Sequence, residues 1–151
     1  MNFGKNFLVK RVTFDGTNYI LSAGTSDVNS GSVRTRGFKR ICWIMGLGVM
    51  APSSTWDVKA QQSSDDGSSD GFSDLAGSAL TQAGASDDSK LYILDYEVEK
   101  DYQRLASTRG DGGNATGDFL IAILYNGDGP ITVDATVLAQ EVHGRLGEGT
   151  A

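Results

Sequence analysis

The sequence predicts an all-β fold: a compact β-sandwich, jelly-roll-like, or a barrel. Three observations predict it. Short runs with a two-residue apolar period follow one another at close spacing, glycine-rich turns punctuate them (20 Gly among 151 residues), and the run FLIAILY at residues 119–125 is apolar on both parities, as a central strand is. The length suits one domain over residues 1–151 with a single core.

The elements follow in chain order. Residues 7–14 (FLVKRVTF) are rich in β-formers and close on Asp15-Gly16, a turn pair, before residues 18–22 begin a second short run; the two read as a hairpin. Residues 38–45 (FKRICWIM) are too short an apolar run for a helix, and Gly46 and Gly48 after them favour a strand with a bulge or bend. In TWDVKAQQ, Trp56, Val58 and Ala60 alternate with Thr55, Asp57 and Lys59, the signature of a half-buried strand. In KLYILDYEV, Tyr92, Leu94, Tyr96 and Val98 form one apolar face, with Asp95 and Glu97 on the other. Residues 102–108 continue in the same manner, and residues 109–114 (RGDGGN) form a turn. The run at 119–125 is then expected to be covered on both sides, residues 126–130 (NGDGP) to turn, and Ile131, Val133, Ala135, Val137 and Ala139 to form a last alternating strand. The total is seven to nine strands.

Charge is concentrated in one place. Residues 61–89 contain 8 Ser, 6 Asp and 4 Gly and no Lys, Arg or Glu, so these six Asp account for the whole net charge of -6. Such a segment buries little apolar surface and reads as a long polar loop insertion, able to carry a short helix over residues 74–83 with Ser73 or Asp74 as its N-cap. Residues 1–11 read as an extended N-terminal arm and residues 140–151 as a C-terminal tail.

Several function classes fall away. The acidic balance argues against nucleic acid, whose binding requires many phosphates to be neutralised. One Cys and one His support neither an internal disulfide nor a conventional zinc site. No apolar stretch of membrane-spanning or signal-peptide type occurs, so the expectation is a soluble chain made in the cytosol, without membrane partners. His143, near Glu141 and Arg145, has no nucleophile motif to serve, and no phosphate loop is present; the chain reads as a non-enzyme without cofactor or metal. Cys42, between Ile41 and Trp43, reads as a buried thiol of purely structural role. Asp66, Ser68, Asp70, Gly71 and Asp74 occupy positions 1, 3, 5, 6 and 9 of a calcium loop, but Gly77 stands where the bidentate Glu belongs, which favours a solvated acidic loop. Arg109-Gly110-Asp111 is an integrin-type tripeptide of the kind that arises by chance in a turn, and Asn114-Ala115-Thr116 is a glycosylation pattern that reads as a turn.

WDVKAQQSSDDGSSDGFSDL, then KLYILDYEVEKDYQRLASTRGDGGNATGDFLIAILYNGDGPITVDATV, and the tail EGTA stand in an order that resembles the small capsid decoration proteins of tailed bacteriophages, also called cement or head-stabilising proteins. The resemblance covers about residues 55–151. It implies a virion structural protein on the capsid exterior, made in the host cytoplasm, that bridges subunits of the major capsid protein as a homotrimer. On that reading the arm supplies the capsid contact through Phe3, Lys5, Phe7, Leu8, Lys10 and Arg11, although residues 7–14 read equally as a core strand. Two alternatives differ in class: another phage structural component such as a tail or head fibre, and a carbohydrate- or ion-binding β-sandwich in which Trp43, Trp56, Tyr125 and the Asp cluster form the site.

Overall fold

A computed structural model describes residues 6–110, 112–128 and 131–140. Its regular elements are strands: β1 (Phe7–Arg11), β2 (Leu21–Gly24), β3 (Val28–Asn29), β4 (Val33–Arg34), β5 (Arg40–Met50), β6 (Thr55–Ser63), β7 (Ser73–Asp74), β8 (Ala83–Gly84), β9 (Leu91–Glu97), β10 (Tyr102–Gly110) and β11 (Ala115–Tyr125). They form two antiparallel sheets packed as a sandwich, with no closed barrel. One sheet runs β1-β11-β5-β9, with β2 also on β11; the other runs β3-β10-β6-β7, with β4 also on β10 and β8 on β6.

Alternation places the core between the sheets. From the first sheet, Ile41, Trp43, Met45, Leu47, Leu120, Ala122 and Leu124 point inward; from the second, Trp56, Val58, Ala60 and Leu105 meet them, all nearly inaccessible. The long glycine-bearing strand at the centre bends as expected, since the β5–β11 register shifts between Ala115 and Gly117 and again between Gly117 and Phe119. Gly117 is required there: a Cβ would lie 2.5 Å from the Phe14 ring, which fills the core beside it.

Polar groups inside the sandwich are tied across it. The Trp43 indole donates to the Tyr96 hydroxyl (3.2 Å), which donates to the Gln103 amide oxygen (3.1 Å), and the Gln103 amide nitrogen donates to the Lys100 carbonyl (2.8 Å). Burial pushes the Tyr96 phenol up to about 12. Arg109, at the other end of β10, donates to the carbonyls of Ser26 (3.0 Å), Ser22 (3.0 Å) and Ala115 (2.8 Å). Desolvation lowers its pKa, and this buried fixture is the arginine of the integrin-type tripeptide. Asp111 lies outside the described residues.

Six expectations are corrected. The Asp15-Gly16 turn forms, with the Asp15 carboxylate accepting from the Thr17 and Asn18 amides, but β1 and β2 do not pair as a hairpin: both pair with β11, β1 along residues 121–125 and β2 along 115–117. Residues 7–11 are therefore an edge strand and not a free arm. No helix forms over residues 74–83, because its backbone and side-chain groups bond to β6: Leu75 N–H donates to the Ala60 carbonyl, Leu80 N–H to the Val58 carbonyl, and the Ser78 hydroxyl accepts from Ala60 N–H. Residues 131–140 form no strand; the Asp134 carboxylate accepts from the Thr136 amide and hydroxyl, and Val137 N–H closes a turn on the Asp134 carbonyl, local bonds that compete with a ladder. Ala115 and Thr116 open β11 and are not a turn. Cys42 is half-buried on the outer side of its sheet, since the core parity belongs to Ile41 and Trp43.

The parity of β11 is testable by urea denaturation. Leu120→Ala, which empties a core site, is expected to cost about 3 kcal/mol, and Ile121→Ala, one residue on and facing outward, about 1 kcal/mol or less. Equal losses would mean that both faces of β11 are core.

Candidate interaction surface

Each sheet has an outer face, and the two differ in kind. On the outer face of the β3-β10-β6-β7 sheet the side chains are polar and cross-bonded. Lys59 and Gln61 hold Asp74 at 2.6 and 2.7 Å, Arg104 donates to the Gln61 amide oxygen (2.8 Å), and Gln82 donates to Asp57 (2.8 Å). The Arg104 guanidinium also lies over the Phe72 ring, 4.1 Å from its centroid. The acidic insertion thus packs along this sheet, with Leu75, Leu80 and Ala83 reaching the core.

The outer face of the β1-β11-β5-β9 sheet is apolar at its centre, with charged residues toward its margins. The register aligns Val9, Ile123, Cys42 and Asp95 in one row and Arg11, Ile121, Ile44 and Ile93 in the next; Phe119, Gly46 and Leu91 make a third. Gly46 leaves room for its neighbour, because a Cβ there would sit 2.5 Å from the Phe119 ring. Leu91 and Ile93 are more than half exposed, and Val9, Ile44, Phe119, Ile121 and Ile123 are half-buried. At one margin Phe7 packs on Tyr125, ring centroids 5.6 Å apart. There Tyr125 donates to Asp95, and Arg40 donates to both Tyr125 (2.8 Å) and Asp95 (2.8 Å). Burial and the Asp95 bond raise the Tyr125 phenol, while the bonds to Tyr125 and Asp95 raise the Arg40 guanidinium. Burial and the Asp95 charge push the Cys42 thiol up, which keeps it protonated and poorly nucleophilic.

The expected site residues divide. Phe7 joins the apolar face; Leu8 packs against the core; Arg11 is exposed, with its guanidinium 5.1 Å from the Tyr19 ring centroid and its N–H donated to the Thr136 hydroxyl. Lys10 is half-buried on the same strand. Phe3, Lys5 and the tail residues Glu141, His143 and Arg145 lie outside the described residues. Trp43 and Trp56 are core residues, so they build no platform with Tyr125. What sequence reasoning missed is that Ile121, Ile123 and Ile44 face outward. The signal was present, since FLIAILY is apolar on both parities, yet within the described residues packing against the other sheet covers one face only.

The calcium-loop residues do not converge. Asp70 accepts from the Ser64 amide and hydroxyl and from Lys100 (2.8, 2.9 and 2.7 Å), and Asp74 is held by Lys59 and Gln61. Asp65, outside the pattern, accepts from the amides of Ser68, Ser69 and Asp70. Among the described residues no group of three or more potential ligands is placed to hold a metal ion.

No family model matches this chain, and no curated protein matches it. Among solved structures it is similar to a Clostridium thermocellum endo-1,4-beta-D-xylanase 10B fragment of CBM22-1 and GH10 modules complexed with xylohexaose, at 8% identity over 89% of this chain and a TM-score of 0.41. The chain spans about 28% of that fragment's length. It is also similar to Eiger TNF from S. frugiperda, at 11% identity over 90% of this chain and 99% of that one, with a TM-score of 0.35. At these scores neither likeness bears on what the chain binds.

The insertion's clamp has a defined pH window. The Lys100 and Ser64 bonds lower the Asp70 pKa from 3.8 to about 2, so the folded loop favours the carboxylate. Its contribution is complete above about pH 4 and is lost as pH falls through about 2. In NMR titrations the Ser64 amide is expected to shift and lose protection over that window, and Asp70→Asn to remove the transition. Added calcium is expected to leave the same amide unchanged; a saturable calcium shift would show a cation site after all.

Proposed function

We propose that this chain is a virion structural protein that decorates the exterior of an assembled bacteriophage capsid and bridges its major capsid protein subunits as a homotrimer. The observation that carries this reading is the apolar outer face of the β1-β11-β5-β9 sheet, opposite a sheet whose own outer face is adapted to solvent. Antiparallel sheets commonly leave one face wet, and then that face is polar. An outer face of isoleucine, valine and phenylalanine calls for a cover.

Four strands spaced ~4.8 Å apart and about seven residues long give a footprint on the order of 450 Å². That matches the largest patches of monomeric proteins, roughly 300–600 Å² and often functional. It is about half of the ~800 Å² per partner of a stable interface. One copy alone would hold weakly. Linked copies engaging several lattice points at once hold avidly, and only where the lattice spacing fits, which is the behaviour expected of a protein that attaches to finished shells and not to free subunits. An apolar contact of this type is also little affected by salt.

Co-sedimentation with undecorated, expanded capsids tests the reading. The protein is expected to pellet with capsids in low and moderate salt and to leave free capsid subunits unbound. Ile121→Glu, which sets a charge in the middle of the face, is expected to weaken binding tenfold or more, on the order of the cost of burying an unpaired carboxylate, while its circular dichroism stays that of a β-protein. Failure of the unmodified protein to pellet at any salt would remove the decoration reading in favour of a tail or head-fibre component.

A further inference from the structure

Two hydrogen bonds fix the direction of every peptide group in β9. Leu47 N–H donates to the Lys90 carbonyl at 2.9 Å, and Val98 N–H donates to the Lys39 carbonyl at 3.0 Å. Both continue the register that sets Tyr92 opposite Met45, Leu94 opposite Trp43 and Tyr96 opposite Ile41. Hydrogen-bonded and non-bonded pairs alternate in an antiparallel ladder. Tyr92, Leu94 and Tyr96 therefore turn their N–H and C=O toward β5, whereas Leu91, Ile93, Asp95 and Glu97 turn theirs away. Among the described residues β9 ends its sheet, so those groups line an open edge along a seven-residue strand.

Proteins usually blunt such edges with Pro, Lys or a bulge. β9 has no Pro, Lys or bulge; it carries the carboxylates of Asp95 and Glu97 toward one end and Leu91 and Ile93, 55% and 58% exposed, at the other. The edge borders a trough on the side of the sandwich where the insertion runs alongside. At one end a cavity of about 260 Å³ is bounded by Leu75, Ser78, Leu94, Tyr96, Glu97 and Glu99. At the other a cavity of about 150 Å³ is bounded by Thr81, Gln82, Asp87, Lys90 and Tyr92. The Tyr92 hydroxyl, donating to the Thr81 carbonyl at 2.5 Å, holds the insertion to the strand between them. The cavities lie about four residues apart along β9, so alternate side chains of an added strand would meet them.

We propose that the free edge of β9 docks an extended peptide segment of another protein as an added strand, with apolar residues beside Leu91 and Ile93 and basic residues beside Glu97 and Glu99. Main-chain bonds supply the affinity of such strand addition, and the flanking side chains supply its selectivity. Charge selects the partner. Asp95 is already engaged by Arg40, but among the described residues no ion pair reaches Glu97 or Glu99. A second copy of this chain fits poorly. Parallel pairing would set Asp95 beside Asp95 and Glu97 beside Glu97, and fully overlapped antiparallel pairing would press those carboxylates against Ile93 and Leu91.

Amide exchange on the full chain tests this, read by NMR with a short synthetic peptide as the probe, threonine at every second position and, between them, valine in one half and lysine in the other. In the free protein the amides of Leu91, Ile93, Asp95 and Glu97 are expected to exchange fast and those of Tyr92, Leu94 and Tyr96 slowly; the peptide should slow the first set. Ile93→Pro deletes one donor from the free edge without touching the β5 ladder and is expected to weaken binding about tenfold or more. Should that variant fail to fold, methylation of alternate peptide nitrogens in the probe removes the reciprocal bonds, those the probe donates to the edge carbonyls of β9, with a comparable expected loss. The same peptide with glutamate in place of lysine is expected to bind at least tenfold more weakly, by the like-charge cost at Glu97 and Glu99. The proposal is overturned if the four edge amides are already protected in the free protein, if the valine–lysine peptide protects none of them, or if the methylated or acidic peptide binds equally well. None of these measurements involves a capsid, so the edge and the decoration reading succeed or fail separately.

Discussion

The fold depends on a buried amide. Gln103 is inaccessible to solvent, and its side chain is one point at which the second sheet is bonded to the first, through Tyr96 and onward to Trp43. Apolar contacts alone tolerate small slides of one sheet over another, because one methyl group is as good a neighbour as the next. An amide in a dry interior has no such latitude; displaced, it would leave a phenol and a carbonyl unpaired at full desolvation cost. Arg109 does the same at the far end of β10, where three carbonyls from β2, its following loop and β11 converge on one guanidinium. Between these two polar fixtures the strand carries Leu105 into the apolar centre. Two polar residues of one strand thus tie the sheets together, the Tyr92 hydroxyl adds a bond to the Trp56 carbonyl at 3.3 Å, and the hydrophobic core fills the space between.

With registration fixed, the two outer faces have separate histories. The insertion lies along the second sheet and meets it through Asp74, Phe72 and Ala83, which makes that side a network of charges and amides. Its composition follows from the same task. Asp65, Asp70, Asp74 and Asp87 all accept hydrogen bonds from nearby amides, hydroxyls or lysines, and each has a lowered pKa as a result. A segment with few apolar side chains can be ordered in this way, by short polar side chains bonding its own backbone. The first sheet receives no comparable cover among the described residues. Its outer face keeps the apolar rows of β1, β11, β5 and β9, and among the described residues its last strand keeps an unpaired edge.

The elements were legible to different degrees. Alternation in TWDVKAQQ and in KLYILDYEV identified the strands and their inward side chains correctly, and the insertion stood out by composition. The apparent hairpin at residues 7–22 was misleading, because the Asp15-Gly16 turn closes a local excursion and not a reversal: β1 and β2 both run antiparallel to β11 and lie end to end along one of its edges, the other edge being taken by β5. The alternating pattern at 131–139 failed for a related reason: a strand needs a ladder partner, and Asp134 offered its backbone a local turn instead. The apolar face was visible only as an oddity, a run with no polar parity, whose natural reading was double coverage within one chain.

The sequence by itself determined that the chain is all-β, where its longer strands run and which side chains share a face, because side-chain alternation is a property of the extended backbone and needs no partner. Only the tertiary structure decided which strands are neighbours, which of the two apolar faces of β11 meets the other sheet, that Cys42 faces out and that, among the described residues, β9 is left with an open edge. Those outcomes depend on contacts between residues far apart in the chain, such as Trp43 with Tyr96 across 53 positions or Arg109 with Ser22 across 87 positions. No local pattern encodes them; they follow from the one registration in which the buried amide and the buried guanidinium both find their partners.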